Sequence, residues 1–267
     1  MPVTADADRV LRETSRTFSI PISQLPDGLR ETVTSAYLMM RAIDEVEDGL
    51  AFEPHDRTRV LLHIARTLQG ALGRATVEFD TAMLAPGPEV TRRIAEWAAL
   101  APAAVAPHIW EATSGMAYRM ADWTASAHTI ETESDLDAYT FSVAGAVGLL
   151  LSNLWAWHDA TLTSTVHAIG FGRGLQSVNM LVNRADDLER GVDFYPRGWD
   201  YVDMRSYAGR HLALGDIYLS RLNPGPIREF CRVPLALAHG TLRALDDGRS
   251  SLTRAEVVEL TAYRRKS

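Results

Sequence analysis

Apolar residues recur at spacings of three and four along nearly the whole chain, and no run of β-branched residues alternates convincingly with the period of a strand. A chain patterned this way can bury its apolar side chains only by packing helix on helix. Twelve prolines punctuate the pattern. Pro21 and Pro26 bracket a short connection, and Pro54 follows an acidic segment. Pro86, Pro88, Pro102 and Pro107 break the middle, and Pro196, Pro224, Pro226 and Pro234 divide the last third. The spacing predicts helices near 4–18, 28–48, 55–84, 88–100, 105–124, 134–158, 161–190, 201–220, 228–247 and 253–264, with Asp27, Ser134 and Asp135 as N-cap or first-turn residues. There is no internal repeat, low-complexity tract or obvious linker, so residues 1–267 read as a single all-α domain.

Charge and cysteine content narrow the function classes. A net charge of −7 speaks against nucleic acid as a partner, because phosphate binding needs a basic face. Cys231 stands alone, which leaves no intramolecular disulfide and no cysteine-based zinc site. The chain opens without a basic-then-apolar secretory pattern. Its most apolar stretch, Val143 to Trp157, is interrupted by Gly145, Gly148, Ser152 and Asn153, and falls short of the roughly 20 residues that span a bilayer. No integral membrane segment and a cytoplasmic location are the expectations. Arg264, Arg265 and Lys266 form a short basic tail, most simply a solvated terminus.

Two acidic segments ask for chemistry. In the first, Arg41 to Asp48, Asp44 and Asp48 are four apart and so share one helix face, with Arg41 three before Asp44 on the same face. Like charges at this spacing cost a bare helix a few tenths of a kcal/mol. They also lie near a helix C-terminus, where the dipole disfavours anions. A hard cation such as Mg²⁺ would offset the cost, taking one or two carboxylates, several waters and substrate phosphate oxygens. A solvated acidic helix end is the other reading. In the second segment, Asn179, Asn183 and Asp187 are spaced by four and form a polar stripe on a helix otherwise carrying Val178, Leu181, Val182 and Leu188. Such a stripe faces solvent or a wet cavity, because burying it unsatisfied is costly. It reads equally as an ordinary amphipathic helix. Taken together, two such helices suit a diphosphate held through Mg²⁺ with an apolar tail between helices.

At this point the chain resembles the squalene/phytoene synthase family. Ser15-Arg16-Thr17-Phe18 is similar to the family's opening motif, followed by Leu25-Pro26, Leu29-Arg30 and Ala36-Tyr37-Leu38. The stretch Arg41 to Asp48 resembles the first aspartate-rich motif, DxxxD, with both aspartates present. Tyr139 to Gly148 resembles the segment Tyr-x-x-x-Val-Ala-Gly-x-Val-Gly, and Gln176, Asn179, Gly191 and Tyr195-Pro196 resemble the second motif and its exit. The likeness runs colinearly over about 9–205 and weakens beyond. It implies an all-α isoprenoid-synthase bundle around a central cavity, and Mg²⁺-assisted loss of diphosphate from an allylic prenyl diphosphate. Asp44 and Asp48 would hold metal, with Asn183 and Asp187 as the ligands of the second motif. Arg41, Ser15 and Arg16 would contact diphosphate, a guanidinium being suited to a bidentate grip on phosphate oxygens. Gln176 and Asn179 join the substrate-binding set. Tyr139 would sit near the reacting carbons as a proton relay or a cation-facing ring, or else be a core tyrosine. Phe18, Tyr37, Phe141, Trp155 and Trp157 are candidate walls that could face a carbocation or simply pack.

The second motif departs from the family pattern. Asn183 stands where the first aspartate is usual, and Val182 where an arginine is usual. An asparagine carbonyl can ligate Mg²⁺ but brings no charge. This weaker wall favours one prenyl diphosphate donor and a second, non-diphosphate small molecule, an aromatic acceptor, as in the prenyltransferase branch of the family. The alternative is head-to-head condensation of two prenyl diphosphates with Asn183 tolerated. A third reading is an inactive binding or scaffold homologue. The eight histidines show no HExxH spacing, no GxSxG elbow is present, and Gly170-Phe171-Gly172-Arg173-Gly174 follows no strand. That string reads as close helix packing or a bend.

Overall fold

In the computed structural model, which describes residues 3–15, 17–49, 51–126 and 129–262, the backbone is helical throughout, with no strand among the described residues. The all-α expectation holds. Internal packing groups the chain into two compact units, 1–128 and 129–267.

The first unit is built on α3 (Leu29–Glu47). Its backbone enters through Gly28, whose φ of +82° a side chain would strain, and the Glu31 carboxylate accepts the Gly28 N–H at 2.5 Å. Before it lie α1 (Ala5–Thr14) and the short α2 (Ser19–Ser23); after it come α4 (Pro54–Gly70), α5 (Thr81–Leu84), α6 (Glu89–Arg92), α7 (Ile94–Ala98) and α8 (Ala106–Ser126). Buried hydroxyls lock these helices to one another. Ser35 donates to the Trp97 carbonyl at 2.7 Å, Thr91 to that of Ala42 at 3.1 Å, and Ser114 to that of Ala65 at 2.9 Å. Each of these bonds satisfies a polar group in the core and fixes the register of two packed elements.

The second unit runs through α9 (Glu133–Thr140), a π-helical segment (Phe141–Gly145), α10 (Ala146–Asp159), α11 (Thr165–Glu189), α12 (Tyr201–Ser220), α13 (Pro226–Asp246) and α14 (Arg254–Thr261). The glycine string is explained by its neighbours. A Cβ on Gly172 would lie 2.2 Å from the Ala144 carbonyl oxygen, and one on Gly148 2.1 Å from that of Ala168. On the other side of α11, Gly170 and Gly174 leave no room against Leu214 and Leu212 of α12. Backbone meets backbone at Gly148, Gly172 and Gly174, and a leucine side chain fills the space at Gly170, so the string serves close packing.

Several predicted helices differ: that over 88–100 splits into α6 and α7, and that over 161–190 starts at Thr165. The helix expected over 4–18 stops at Thr14, because Ser15 is extended and its Oγ accepts the Phe18 N–H at 2.8 Å, starting a turn instead. The helix expected over 55–84 ends at Gly70, near the positive φ of Gly73. The helix expected over 134–158 forms, but with the π turn inside it. Folded as one rod, Glu133–Asp159 is 27 residues and reaches membrane-spanning length and hydropathy, which the shorter run Val143 to Trp157 did not. Core helices, mostly buried, pass the same test; 39% of this helix's apolar window is buried, and it packs backbone to backbone on α11 through Gly148.

Candidate active site

On α3 the spacing 37, 41, 44, 48 places Tyr37, Arg41, Asp44 and Asp48 along one face. The end of α1 joins it: the Tyr37 hydroxyl donates to the Thr14 carbonyl at 2.9 Å, and the Phe18 and Tyr37 rings lie 6.1 Å apart. Ser15 is buried and its hydroxyl is a hydrogen-bond neighbour of Tyr37. The structure therefore brings Ser15, Phe18, Tyr37, Arg41 and Asp44 together within the first unit. Arg16 lies outside the described residues, as do Arg264, Arg265 and Lys266 of the basic tail.

This face gathers the carboxylates of Asp44, Glu45, Glu47 and Asp48 around Arg41. Arg41 is paired with Glu45 one turn on, rather than with the aspartates. Burial pushes the Asp44 carboxyl from its ordinary 3.8 up to about 7; Arg41 opposes the shift, and Asp48 and Glu45 add to it. Burial likewise raises Glu47, helped by its neighbour Asp48. Arg57 of α4, overlooked in sequence, meets the dipole problem at this helix end. It donates to the carbonyls of Glu47 and Gly49 at 3.0 Å each and to that of Phe52 at 3.3 Å. Glu47 was also overlooked; its signal is its place three after Asp44 and beside Asp48.

Half-buried Asp44 and Glu47, which repel one another and hold protons above their usual range, suit a divalent cation. Among the described residues no three His, Cys, Asp or Glu side chains gather into a complete ligand set. A cation here would draw one or two carboxylates from α3 and its other oxygens from water and phosphate, as Mg²⁺ commonly does.

In the second unit Tyr139 is 7% exposed and its ring stacks on Phe194 at 4.9 Å. Phe141 opens the π segment, half-buried. Along α11, Gln176 is half-buried, and Asn179 and Asn183 are exposed. Asp187, the fourth member of that row, is buried and takes Arg190 at 2.5 Å. Arg184 donates to Asp193 at 3.1 Å and lies 3.8 Å over the Tyr195 ring. Of the donor set expected at Asn183 and Asp187, one member is neutral and the other is paired with an arginine, so this stripe offers less uncompensated charge than the α3 face. Trp155 is fully buried edge-on to Phe230 at 5.5 Å, a core contact, whereas Trp157 is exposed. A shallow depression of about 100 Å³ lined by Asp159, Thr161, Leu222, Pro224 and Ile227 contains none of the predicted residues.

Comparison with known proteins addresses the same stretches. A family model described as squalene/phytoene synthase matches residues 11–199, across both units. The squalene synthase of Schizosaccharomyces pombe is 26% identical, the alignment covering 89% of this chain and 58% of that protein. For the squalene synthase of Rattus norvegicus the figures are 26%, 88% and 62%. The chain thus spans about three fifths of the length of these curated relatives. Among solved structures, TcSQS in complex with the ligand E5700 superposes with a TM-score of 0.79 at 22% identity, covering 96% of this chain and 84% of that one. The squalene synthase HpnC from Alicyclobacillus acidocaldarius gives 0.67 at 18%, covering 93% and 94%. These likenesses show the shared helical fold.

Proposed function

The chain belongs to the squalene/phytoene synthase family, and on that premise we propose that it condenses two allylic prenyl diphosphates head to head, in the manner of a squalene synthase. The observation that carries this reading is the family match over residues 11–199, a span that includes Asp44, Asp48 and Tyr139. The aromatic acceptor, favoured on the departures at Asn183 and Val182, gains no support from relatives that carry the squalene synthase name. The head-to-head reading replaces it, with Asn183 a tolerated departure.

Asp44 and Asp48 are the residues that would hold Mg²⁺. Bound there, the ion would neutralise charge on the departing diphosphate. Arg41 would exchange Glu45 for phosphate oxygens, a trade of one anion for another that leaves the guanidinium satisfied. Ser15 and Tyr37 would hold the same end of the substrate by hydroxyl contacts, and Phe18 would cover it. Tyr139, buried and stacked on Phe194, offers a fixed ring face and a hydroxyl for the carbocation end of the reaction.

The test is product analysis by mass spectrometry after incubating the protein with Mg²⁺ and C5, C10, C15 or C20 allylic diphosphate, each supplied alone. A hydrocarbon of doubled carbon number, or its cyclopropyl diphosphate precursor, is the expected result. Absence of any doubled product with every donor, together with a prenylated product once an aromatic acceptor is added, would overturn it.

A further inference from the structure

The helix that carries Tyr139 is anchored from behind by residues that belong to no recognised motif of the site. Asp137 and Tyr139 are two apart, about 200° around a helix, so they face opposite ways. Behind the helix, the hydroxyl of Tyr207 on α12 donates to Asp137 Oδ1 at 2.6 Å and lies 3.2 Å from Thr140 Oγ1. Tyr207 and Thr140 are both fully buried. Arg173 of α11 donates through Nη2 to the Asp137 carbonyl at 2.9 Å, and its Nη1 lies 3.5 Å from Oδ1. The His211 ring meets Tyr207 edge-on at 4.4 Å.

These bonds fall on one turn. Thr140 Oγ1 donates to the Leu136 carbonyl at 2.7 Å, Arg173 to that of Asp137, and Ser142 Oγ to that of Ala138 at 2.8 Å. Three consecutive carbonyls immediately before Tyr139 are thus held by side chains. Immediately after it comes the π turn, whose closing bond runs from the Ala146 N–H to the Phe141 carbonyl, and whose Ala144 backbone abuts Gly172. Single π turns inside α-helices are frequent at functional sites, where the wider turn re-aims neighbouring side chains. Tyr139 therefore stands between a three-point anchor and a pinned bulge.

We propose that Asp137, Tyr207 and Arg173 are positioning residues for Tyr139: they fix the turn before the π segment and so set where the Tyr139 ring and hydroxyl lie. The inference rests on the reading that Tyr139 serves the reacting carbons. Misplacing a catalytic group by about 1 Å can cost on the order of a hundredfold in rate. Burial and its bond to Asp137 both raise the Tyr207 phenol well above its ordinary range, so it stays a hydrogen-bond donor.

The experiment uses the full chain labelled with 3-fluorotyrosine at its eight tyrosines. The Tyr139 fluorine line is assigned by its loss in Tyr139→Phe. Tyr207→Phe and Asp137→Ala should shift or broaden that line. They should also lower kcat about tenfold or more with KM within about threefold, for folded protein of matched concentration. Asp137→Asn keeps an oxygen acceptor for Tyr207 and should return both readouts towards the wild type. An unmoved Tyr139 line with kcat within about twofold in both Tyr207→Phe and Asp137→Ala would overturn the proposal; so would a lower Tm without either change. Should Tyr139→Phe itself leave turnover unchanged, the catalytic role of Tyr139 falls, while the fluorine spectra still decide whether these residues position its ring.

Discussion

Asp44 combines two facts that pull in one direction. Its carboxyl is raised from 3.8 to about 7, and burial is the largest cause. Between those values the folded chain retains a proton that the unfolded chain has released. Stability contributed through this group is therefore intact near pH 4 and is lost as pH rises towards 7 and beyond. Asp44→Asn removes the liability. In metal-free buffer its Tm should match the wild type near pH 4 and exceed it at pH 8 by several degrees, about 2–4 °C for each kcal/mol recovered. Adding Mg²⁺ at pH 8 should raise the wild-type Tm and leave the variant nearly unmoved, because binding requires the deprotonated carboxylate. Thermal melts at both pH values, with and without Mg²⁺, test this. Equal Tm values at pH 8 would mean that the Asp44 carboxyl ionises in the folded chain as readily as in water.

The glycines of α11 show how an element's packing can outweigh its intrinsic preference. Replacing Gly172 by Ala gains about 1 kcal/mol of helix propensity. It also drives a methyl to 2.2 Å from a backbone carbonyl oxygen, an atom that cannot rotate away. Overpacking of this kind costs about 1–3 kcal/mol or more, so Gly172→Ala should lower the stability measured by chemical denaturation. Gly70→Ala is the control: it ends α4 with nothing within 4 Å of its would-be Cβ and should be neutral or stabilising. If the two variants behave alike, the close approach of α11 to the π segment is not formed in solution. The same elements mark what was legible in the sequence. Periodicity is local, so α3, α8, α11, α12 and α13 were readable, and the glycine string could be read as packing. The π turn was not, because one extra residue in a turn leaves the apolar pattern of a continuous helix nearly unchanged. Arg57 was not readable either: it serves α3 from the following helix, through backbone carbonyls that no side-chain motif announces. Asp187 was read as the end of a polar stripe with Asn183. Its buried bond to Arg190, three residues on, was available from spacing yet became evident only when burial was known.

For the whole molecule, the donor sets of the two acidic helices lead to a metal count. At the C-terminal end of α3, Asp44 and the capping Asp48 bring carboxylates on one face with Glu47 beside them, while Arg41 is paired with Glu45. In α11, Asn183 brings no charge and Asp187 is neutralised by Arg190 at 2.5 Å. Breaking that pair to free Asp187 would give up a charged hydrogen bond, a loss of about 1.5–3 kcal/mol. Cation binding should therefore form a single class of sites carried by α3. Titration with Mn²⁺, followed by electron paramagnetic resonance in the presence of inorganic pyrophosphate, reads this directly and needs no turnover. Asp44→Asn and Asp48→Asn should each weaken binding about tenfold or more, whereas Asp187→Asn should change it by less than about twofold. Joining Asn183→Asp to Arg190→Gln restores charge at one position and frees it at the other, and should add a second, weaker class of sites. Loss of bound Mn²⁺ in Asp187→Asn would show instead that pyrophosphate draws Arg190 away and that Asp187 ligates metal after all.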